Sequence, residues 1–339
     1  RYWSAKLSST YHLDAVQHSD VGQKREVNED SFGRFEPSPG EASWERGALY
    51  VVADGMGGHA AGDVASRLAV EAILEEYYQS PEWSDAAQGL RRAIEWANEV
   101  ILRRSEEDIG LRAMGTTVVA AVVQDDRLTL ANVGDSRAYL LREGRLQQLT
   151  RDHSWVAKAV EEGVLAPDQA RGHPDRNVFY RSLGAAPTVE VETYTHTLYP
   201  GDRVLLCTDG LTDVMPDDLI AEVGGGVDLA GAADQLVAGA NNRGGPDNIT
   251  VTLLELESLQ DRERRERPTP SRLDALDSSR RSSSDWVQPE GRRTVPRGAH
   301  LPSDKDRLSG NENGSQVSTG GRRGWLDRLL RRNGSPDQE

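Results

Sequence analysis

Acidic residues set at the ends of apolar runs carry most of the chemistry this sequence can offer. Leu49-Tyr50-Val51-Val52-Ala53 leads into Asp54, and three glycines follow within four positions, Gly55-Met56-Gly57-Gly58. Such a run of β-branched and aromatic residues predicts a buried strand. A strand ending on Asp-Gly places a carboxylate at a sheet edge beside bare backbone, so the Asp54 carboxylate and the Gly55 carbonyl can ligate together. The pattern returns in Val204-Leu205-Leu206-Cys207-Thr208-Asp209-Gly210. One Asp-Gly pair simply makes a turn; two of them after two apolar strands, with more Asp at other strand ends, argue for a site. Those others are Asp135 in Gly134-Asp135-Ser136 and Asp247 in Pro246-Asp247-Asn248, with Asp213 close by. Glu29 and Asp30 follow Arg25 in a polar stretch that, taken alone, is equally a solvated charged loop.

Buried carboxylates cannot all stay ionised together unless cations neutralise them. An oxygen-only donor set selects hard ions, which makes Mg²⁺ or Mn²⁺ the expected metal. Two such ions about 3.5–4 Å apart would hold and deprotonate a bridging water. A nearby arginine would grip a phosphate by two parallel hydrogen bonds. Together these parts hydrolyse phosphate esters.

The elements that must position them are read from periodicity. Residues 11–22 alternate as an edge strand closing at Gly22, and 22–32 form a loop. After the Asp54 turn, Asp63 is placed as the N-cap of an amphipathic helix bearing Val64, Leu68, Ile73 and Tyr77; a second helix covers 85–104. Runs at 116–123, 128–133, 137–141 and 145–149, joined by very short links, predict antiparallel hairpins. A short helix at 153–163, an irregular segment at 164–180, strands at 189–196 and 204–209, helices at 219–223 and 229–241, and a strand at 249–256 complete the domain. The expected fold is α+β: two antiparallel sheets packed together and flanked by helix pairs, an α-β-β-α sandwich over residues 11–257.

Charge divides the chain. Its 339 residues carry a net −15, but through Glu257 there are 23 Lys+Arg against 42 Asp+Glu, and from Ser258 onward 17 against 13. An acidic domain repels phosphate backbones, so nucleic acid is not an expected partner. Residues 258–339, rich in Arg, Ser, Pro and Gly, are expected to be disordered, with one basic amphipathic patch at 324–332 around Trp325. A single cysteine, Cys207, excludes an internal disulfide and a cysteine-rich zinc site. No apolar run is long enough to span a bilayer, no signal peptide is visible, and a start at Arg1 suggests that the true N-terminus is missing; the expectation is a cytoplasmic monomer.

Motifs then accumulate in order: Gly22-x-x-Arg25-x-x-Asn28-Glu29-Asp30, Asp54-Gly55-Met56-Gly57-Gly58-His59, Met114-Gly115-Thr116-Thr117, Asn132-Val133-Gly134-Asp135-Ser136-Arg137, Thr150-Arg151-Asp152-His153-Ser154, Arg181-Ser182-Leu183-Gly184, Thr208-Asp209-Gly210-Leu211 and Asp247-Asn248-Ile249-Thr250. Over residues 14–257 the chain resembles the bacterial branch of the metal-dependent type 2C protein phosphatases. The resemblance implies hydrolysis of phosphoserine and phosphothreonine in proteins that a Ser/Thr kinase has modified, by a water activated between two metal ions. It implies that Asp54 bridges both ions, that the Gly55 carbonyl holds the second, and that Asp209 and Asp247 hold the first. Glu29 and Asp30 would act through coordinated waters, and Arg25 would clamp the substrate phosphate. Asp135, with Asp209 and Asp213, would hold a looser third ion, and residues 155–180 would form a flap that influences substrate choice.

Some members carry a histidine directly after the Asp-Gly pair as general acid; here that residue is Met56. His59 and His153 are read as structural and Cys207 as a buried strand residue, leaving protonation of the leaving group unassigned. Two other functions compete: a regulatory binding module with weak activity, and a phosphatase for a small phosphorylated metabolite. A degenerate module should have lost a carboxylate or the arginine, and neither is lost.

Overall fold

Residues 204–207 alternate between two cores: Val204 and Leu206 enter one, Leu205 and Cys207 the other. That alternation is the period of two of a strand whose faces are both covered, and it sets the layering of the molecule. The computed structural model describes residues 2–262 apart from 8–9, 58–60, 81–82, 167–168, 170–172, 176–177, 227 and 261.

One sheet runs in the order β1 (Tyr2–Lys6), β2 (Tyr11–Asp20), β12 (Ile249–Ser258), β11 (Arg203–Cys207), β8 (Arg137–Arg142), β9 (Arg145–Gln148). The second runs β10 (Glu192–Thr197), β7 (Arg127–Val133), β6 (Val118–Gln124), β4 (Ala48–Met56), β3 (Asp30–Phe35), with β5 (Gly115–Thr116) paired to the end of β4. Every named pairing is antiparallel. Leu13 and Ala15 of β2, Tyr50 and Val52 of β4, Val119 and Ala121 of β6, and Leu254 of β12 fill the space between the sheets.

The helices cover the outer faces. Helices α1 (Ala61–Gln79) and α2 (Ala86–Glu107) pack on each other, and α1 lies against β4 and β3. On the other side, α4 (Asp209–Thr212), α5 (Asp217–Gly224) and α6 (Leu229–Asn242) meet the first sheet, where Leu205, Leu211, Met215, Ile220, Leu236, Val251 and Leu253 form the second core. Asp85 caps α2 by accepting from the Gln88 N–H at 2.9 Å, and Asp228 caps α6 through the Gly231 N–H at 2.6 Å. A further helix, α3 (Trp155–Glu161), opens the 155–180 segment.

The α-β-β-α sandwich is as expected; four local readings are corrected. The 11–20 strand is internal, because β1 pairs with it and takes the edge. The loop from Gly22 ends before Asp30, where β3 starts, since Asp30 already pairs with Asp54. Helix α1 begins at Ala61, so Asp63 lies in its first turn and is not its N-cap. The strand expected over 204–209 ends at Cys207, and Asp209-Gly210 forms the first turn of α4. No described helix is long and apolar enough to cross a membrane. The tail from residue 263, its 324–332 patch and His59 lie outside the described residues.

Candidate active site

Strand register brings the carboxylates to one end of the sandwich. Asp30 and Asp54 are direct partners across β3 and β4. Cys207, the last residue of β11, pairs with Arg137 of β8 and with Val251 of β12. Asp209, two residues beyond β11, therefore lies at the same end as Asp135 before β8 and Asp247 before β12.

Close backbone approaches lock these turns together, and glycine permits them. A Cβ on Gly55 would fall 2.5 Å from the Glu29 carbonyl oxygen, and one on Gly210 would fall 1.9 Å from that of Asn248. Gly22, at φ +80°, has the Asp247 carbonyl oxygen where its Cβ would be, at 2.2 Å. Thr208 Oγ1 donates to Asp30 Oδ2 at 2.9 Å and accepts from the Thr250 N–H at 3.0 Å, tying the two sheets beneath the cluster.

Asn248 is the residue the sequence motif contained but to which no role was assigned. It is buried; its Nδ2 donates to the carbonyls of Val21 (2.9 Å) and Val27 (3.0 Å), and its Oδ1 accepts from the Glu29 N–H at 2.8 Å. One amide thus staples both ends of the loop that carries Arg25 at its tip. An Asn beside an Asp ahead of a strand was the available signal, since such side chains bond nearby backbone.

The carboxyls sit deep while Asp54, Asp135, Asp209 and Asp247 keep part of their surface at the mouth. Burial first, then Asp30, Asp209, Asp135 and Asp247, hold the Asp54 carboxyl well above the usual carboxylate range. Burial pushes Asp30 up to about 7, with Asp209 and Asp247 adding to it. Burial, Asp213 and Asp247 push Asp209 up to about 7. Asp135 is raised by burial and then by Asp209 and Asp152. Among the described residues, Asp30 Oδ1 and Asp209 Oδ1 are buried with no hydrogen-bond partner. Mutually repelling, partly orphaned oxygens fit a divalent cation by donor chemistry. Yet no three His, Cys, Asp or Glu side chains among the described residues already close around one point.

Arg25 is at the cluster. Its Nη2 donates to Asp247 Oδ2 at 2.8 Å, its Nη1 stands 3.6 Å from Glu29 Oε2, and its side chain is about half exposed. His153 is fully buried; its ring Nδ1 accepts from the Gly134 N–H at 3.1 Å, and its backbone N–H donates to the Gly134 carbonyl at 2.8 Å. It braces the Asp135 turn from behind and faces no open space. Burial raises the Cys207 thiol to about 12, which removes it as a nucleophile. The 155–180 segment is closed at its base, where the Trp155 N–H donates to the Val178 carbonyl and the Tyr180 N–H to the His153 carbonyl.

Known proteins are similar to this chain in sequence and in fold. The family described as protein phosphatase 2C matches residues 22–238. A serine/threonine phosphatase, stp, of Listeria monocytogenes is 39% identical over 252 residues, covering 73% of this chain and 98% of the relative. The crystal structure of the Mycobacterium tuberculosis serine/threonine phosphatase PstP/Ppp superposes with a TM-score of 0.64 at 39% identity, covering 72% of this chain and 99% of that one. The catalytic domain of the serine threonine protein phosphatase PstP in complex with 2 manganese ions gives 0.63 at 36% identity, over 73% of this chain and all of that one. With two antiparallel sheets, flanking helices and an acidic cluster at one end, this chain belongs to the protein phosphatase 2C family.

Proposed function

We propose that this chain hydrolyses phosphoserine and phosphothreonine monoesters in proteins, opposing a Ser/Thr kinase, with two Mn²⁺ or Mg²⁺ ions in the carboxylate cluster and a third held more loosely. The observation that carries the reading is the convergence of Asp30, Asp54, Asp209 and Asp247, in which Asp209 and Asp247 both raise the Asp30 and Asp54 carboxyls and Asp247 raises that of Asp209. The manganese ions in the PstP catalytic domain, a relative at 36% identity, support the choice of metal.

Asp54 would be shared by both ions, Asp209 and Asp247 would hold the first, and the Gly55 carbonyl the second. Glu29 and Asp30 would support them through waters, and Asp135 with Asp209 and Asp213 would take the third. When bound, the cations supply charge neutralisation and Lewis acidity, which makes water a competent nucleophile at neutral pH. Water breaks the P–O bond, releasing the serine or threonine hydroxyl and inorganic phosphate. Arg25 is engaged by Asp247 at 2.8 Å; with the Asp247 charge neutralised by a bound cation, its guanidinium would be free to hold a phosphate. Met56 has no proton to give, and His153 and Cys207 are buried away from the mouth; none of the three protonates the leaving oxygen.

The deciding assay measures turnover of a phosphothreonine peptide with Mn²⁺ and again with EDTA. Full activity in EDTA, or a covalent phosphoenzyme trapped by rapid quench, defeats the proposal. A chain that binds the phosphopeptide without turning it over would be the regulatory module instead. Preference for a small phosphorylated metabolite over every phosphopeptide would move the substrate class.

Arg25→Ala is expected to lower kcat/KM roughly 10- to 150-fold at saturating Mn²⁺, the equivalent of one charge-assisted contact of about 1.5–3 kcal/mol. Mn²⁺ affinity should hold or improve, because a competing cation leaves Asp247. Weaker metal binding with unchanged kcat/KM would reassign the residue.

The tail is proposed to be dispensable for the chemistry. Arg262 Nη1 is bonded to Asp14 Oδ2 at 3.1 Å, and the Leu259 N–H donates to the Thr10 carbonyl at 2.9 Å, so truncation after Arg262 is the informative cut. Activity on a small phosphopeptide and the melting temperature should both stay unchanged; a fall in either makes the tail part of the catalytic domain.

A further inference from the structure

Asp54 lies in β4 of the second sheet and Asp135 in the link that carries the chain from β7 of that sheet to β8 of the first, and one hydroxyl joins them. Thr117, between β5 and β6, is 1% exposed. Its N–H donates to the Asp54 carbonyl at 2.9 Å, and its Oγ1 accepts from the Asp54 N–H at 3.2 Å. Both backbone polar groups of Asp54 are thereby held by one residue. The same Oγ1 is hydrogen-bonded to Ser136 Oγ at 2.7 Å, and Ser136, which directly follows Asp135, is also 1% exposed. On the other side of Asp135, Gly134 (φ +106°) lies against Thr117: a Cβ there would fall 2.6 Å from both Thr117 Cβ and Cγ2. Thr117 therefore touches the residues before and after Asp135 as well as the backbone of Asp54. Its neighbour Thr116 donates from Oγ1 to the Asp54 carbonyl at 2.8 Å and exchanges backbone bonds with Leu183, which anchors the clasp to the 181–184 loop.

We propose that Thr117 is a positioning residue whose hydroxyl, clasped between the Asp54 backbone and Ser136, sets the separation of the Asp54 and Asp135 carboxylates and so the cation affinity of the site. The inference rests on the carboxylate-cation reading above. Valine has the shape of threonine but neither accepts nor donates, so Thr117→Val leaves the buried Asp54 N–H and the Ser136 hydroxyl unpaired. Those groups would find new partners by shifting the end of β4 relative to the Asp135 turn. Thr117→Ser keeps the hydroxyl.

The experiment titrates Mn²⁺ into the full chain, stripped of metal and without substrate, by calorimetry, alongside kcat, KM and melting temperature. Residues that only orient metal ligands typically change affinity about 10- to 100-fold. Thr117→Val should weaken Mn²⁺ binding by that factor with KM for a phosphopeptide unchanged at saturating metal, and Thr117→Ser should restore binding to within about twofold. Ser136→Ala removes the same bond from the other side, so the double variant Thr117→Val/Ser136→Ala should bind no worse than Thr117→Val. Should Thr117→Val not fold, Ser136→Ala alone must still weaken Mn²⁺ binding. A lower melting temperature with an unchanged isotherm, failure of serine to rescue, or additive losses overturns the clasp. Wild-type chain that takes up no Mn²⁺ overturns the carboxylate-cation reading itself; normal wild-type uptake matched by Thr117→Val overturns only the clasp.

Discussion

Asp209→Asn is expected to lower kcat by a factor on the order of 10³ or more at saturating Mn²⁺, while making the metal-free protein more stable. The first effect follows because losing a mere orienting neighbour of a ligand costs about 10–100-fold, and losing a ligand oxygen costs more. The second follows from repulsion. Burial, Asp213 and Asp247 raise the Asp209 carboxyl from 3.8 to about 7 in the folded chain. A raised carboxylate pKa means that the folded state binds more protons than the unfolded one, so stability falls as pH rises from 3.8 towards 7 and the loss is complete above that. In EDTA at pH 8 the asparagine variant should therefore melt above the wild type, and its advantage should shrink as pH is lowered towards 4. Saturating Mn²⁺ should reverse the order, because only the wild type recovers its full ligand set. Two signs from one substitution are hard to imitate: a residue needed merely for folding would lower both activity and metal-free stability. A variant equally active with Mn²⁺ would remove Asp209 from the machinery.

The layers and the cluster were legible in the sequence because both depend on local pattern. Val51-Val52-Ala53 and Leu205-Leu206-Cys207 are apolar on both faces, which only a doubly covered strand tolerates, and each run leads within two residues to an acid of the cluster. Edges were less legible. The 11–20 strand reads like an edge because it mixes His, Asp and Gln with apolar residues, yet His12, Asp14 and Gln17 are all buried: Gln17 Nε2 donates to Thr252 Oγ1 at 3.0 Å, and Asp14 is paired with Arg262. Those partners lie more than two hundred residues away in sequence, beyond the reach of any local pattern. The roles of Thr117 and Asn248 escaped for the same reason. A threonine in an apolar run reads as a strand former, and only the fold reveals that its hydroxyl faces Asp54 and Ser136. Nor does the sequence foretell that Arg25 rests on Asp247, because that pairing depends on two loops meeting at Gly22.

Gly210→Ala should lower the melting temperature and weaken Mn²⁺ binding together, against the direction that helix propensity predicts. Gly210 lies inside α4, and in an unconstrained helix alanine is favoured over glycine by roughly 0.5–1 kcal/mol. Here the added Cβ would stand 1.9 Å from the Asn248 carbonyl oxygen and 2.9 Å from its carbon. Both atoms are backbone at the start of β12, so no rotamer change relieves the overlap; either α4 or the 247–249 segment must move. Forcing extra volume into a packed contact costs about 1–3 kcal/mol, which outweighs the propensity gain. The net loss corresponds to a fall of roughly 2–8 °C for a domain of this size. The movement carries a chemical consequence, because the two segments that part carry Asp209 and Asp247, and Asn248 pulls the Arg25 loop with it through its bonds to Val21, Val27 and Glu29. Mn²⁺ affinity should drop about 10- to 100-fold, as for other changes that displace ligands without deleting them. Calorimetric titration and a thermal melt on the same preparation decide the matter. An alanine variant that melts higher than wild type and binds Mn²⁺ equally well would mean that the 209–210 and 247–248 backbones separate freely, and that their close approach does not set the spacing of the carboxylates.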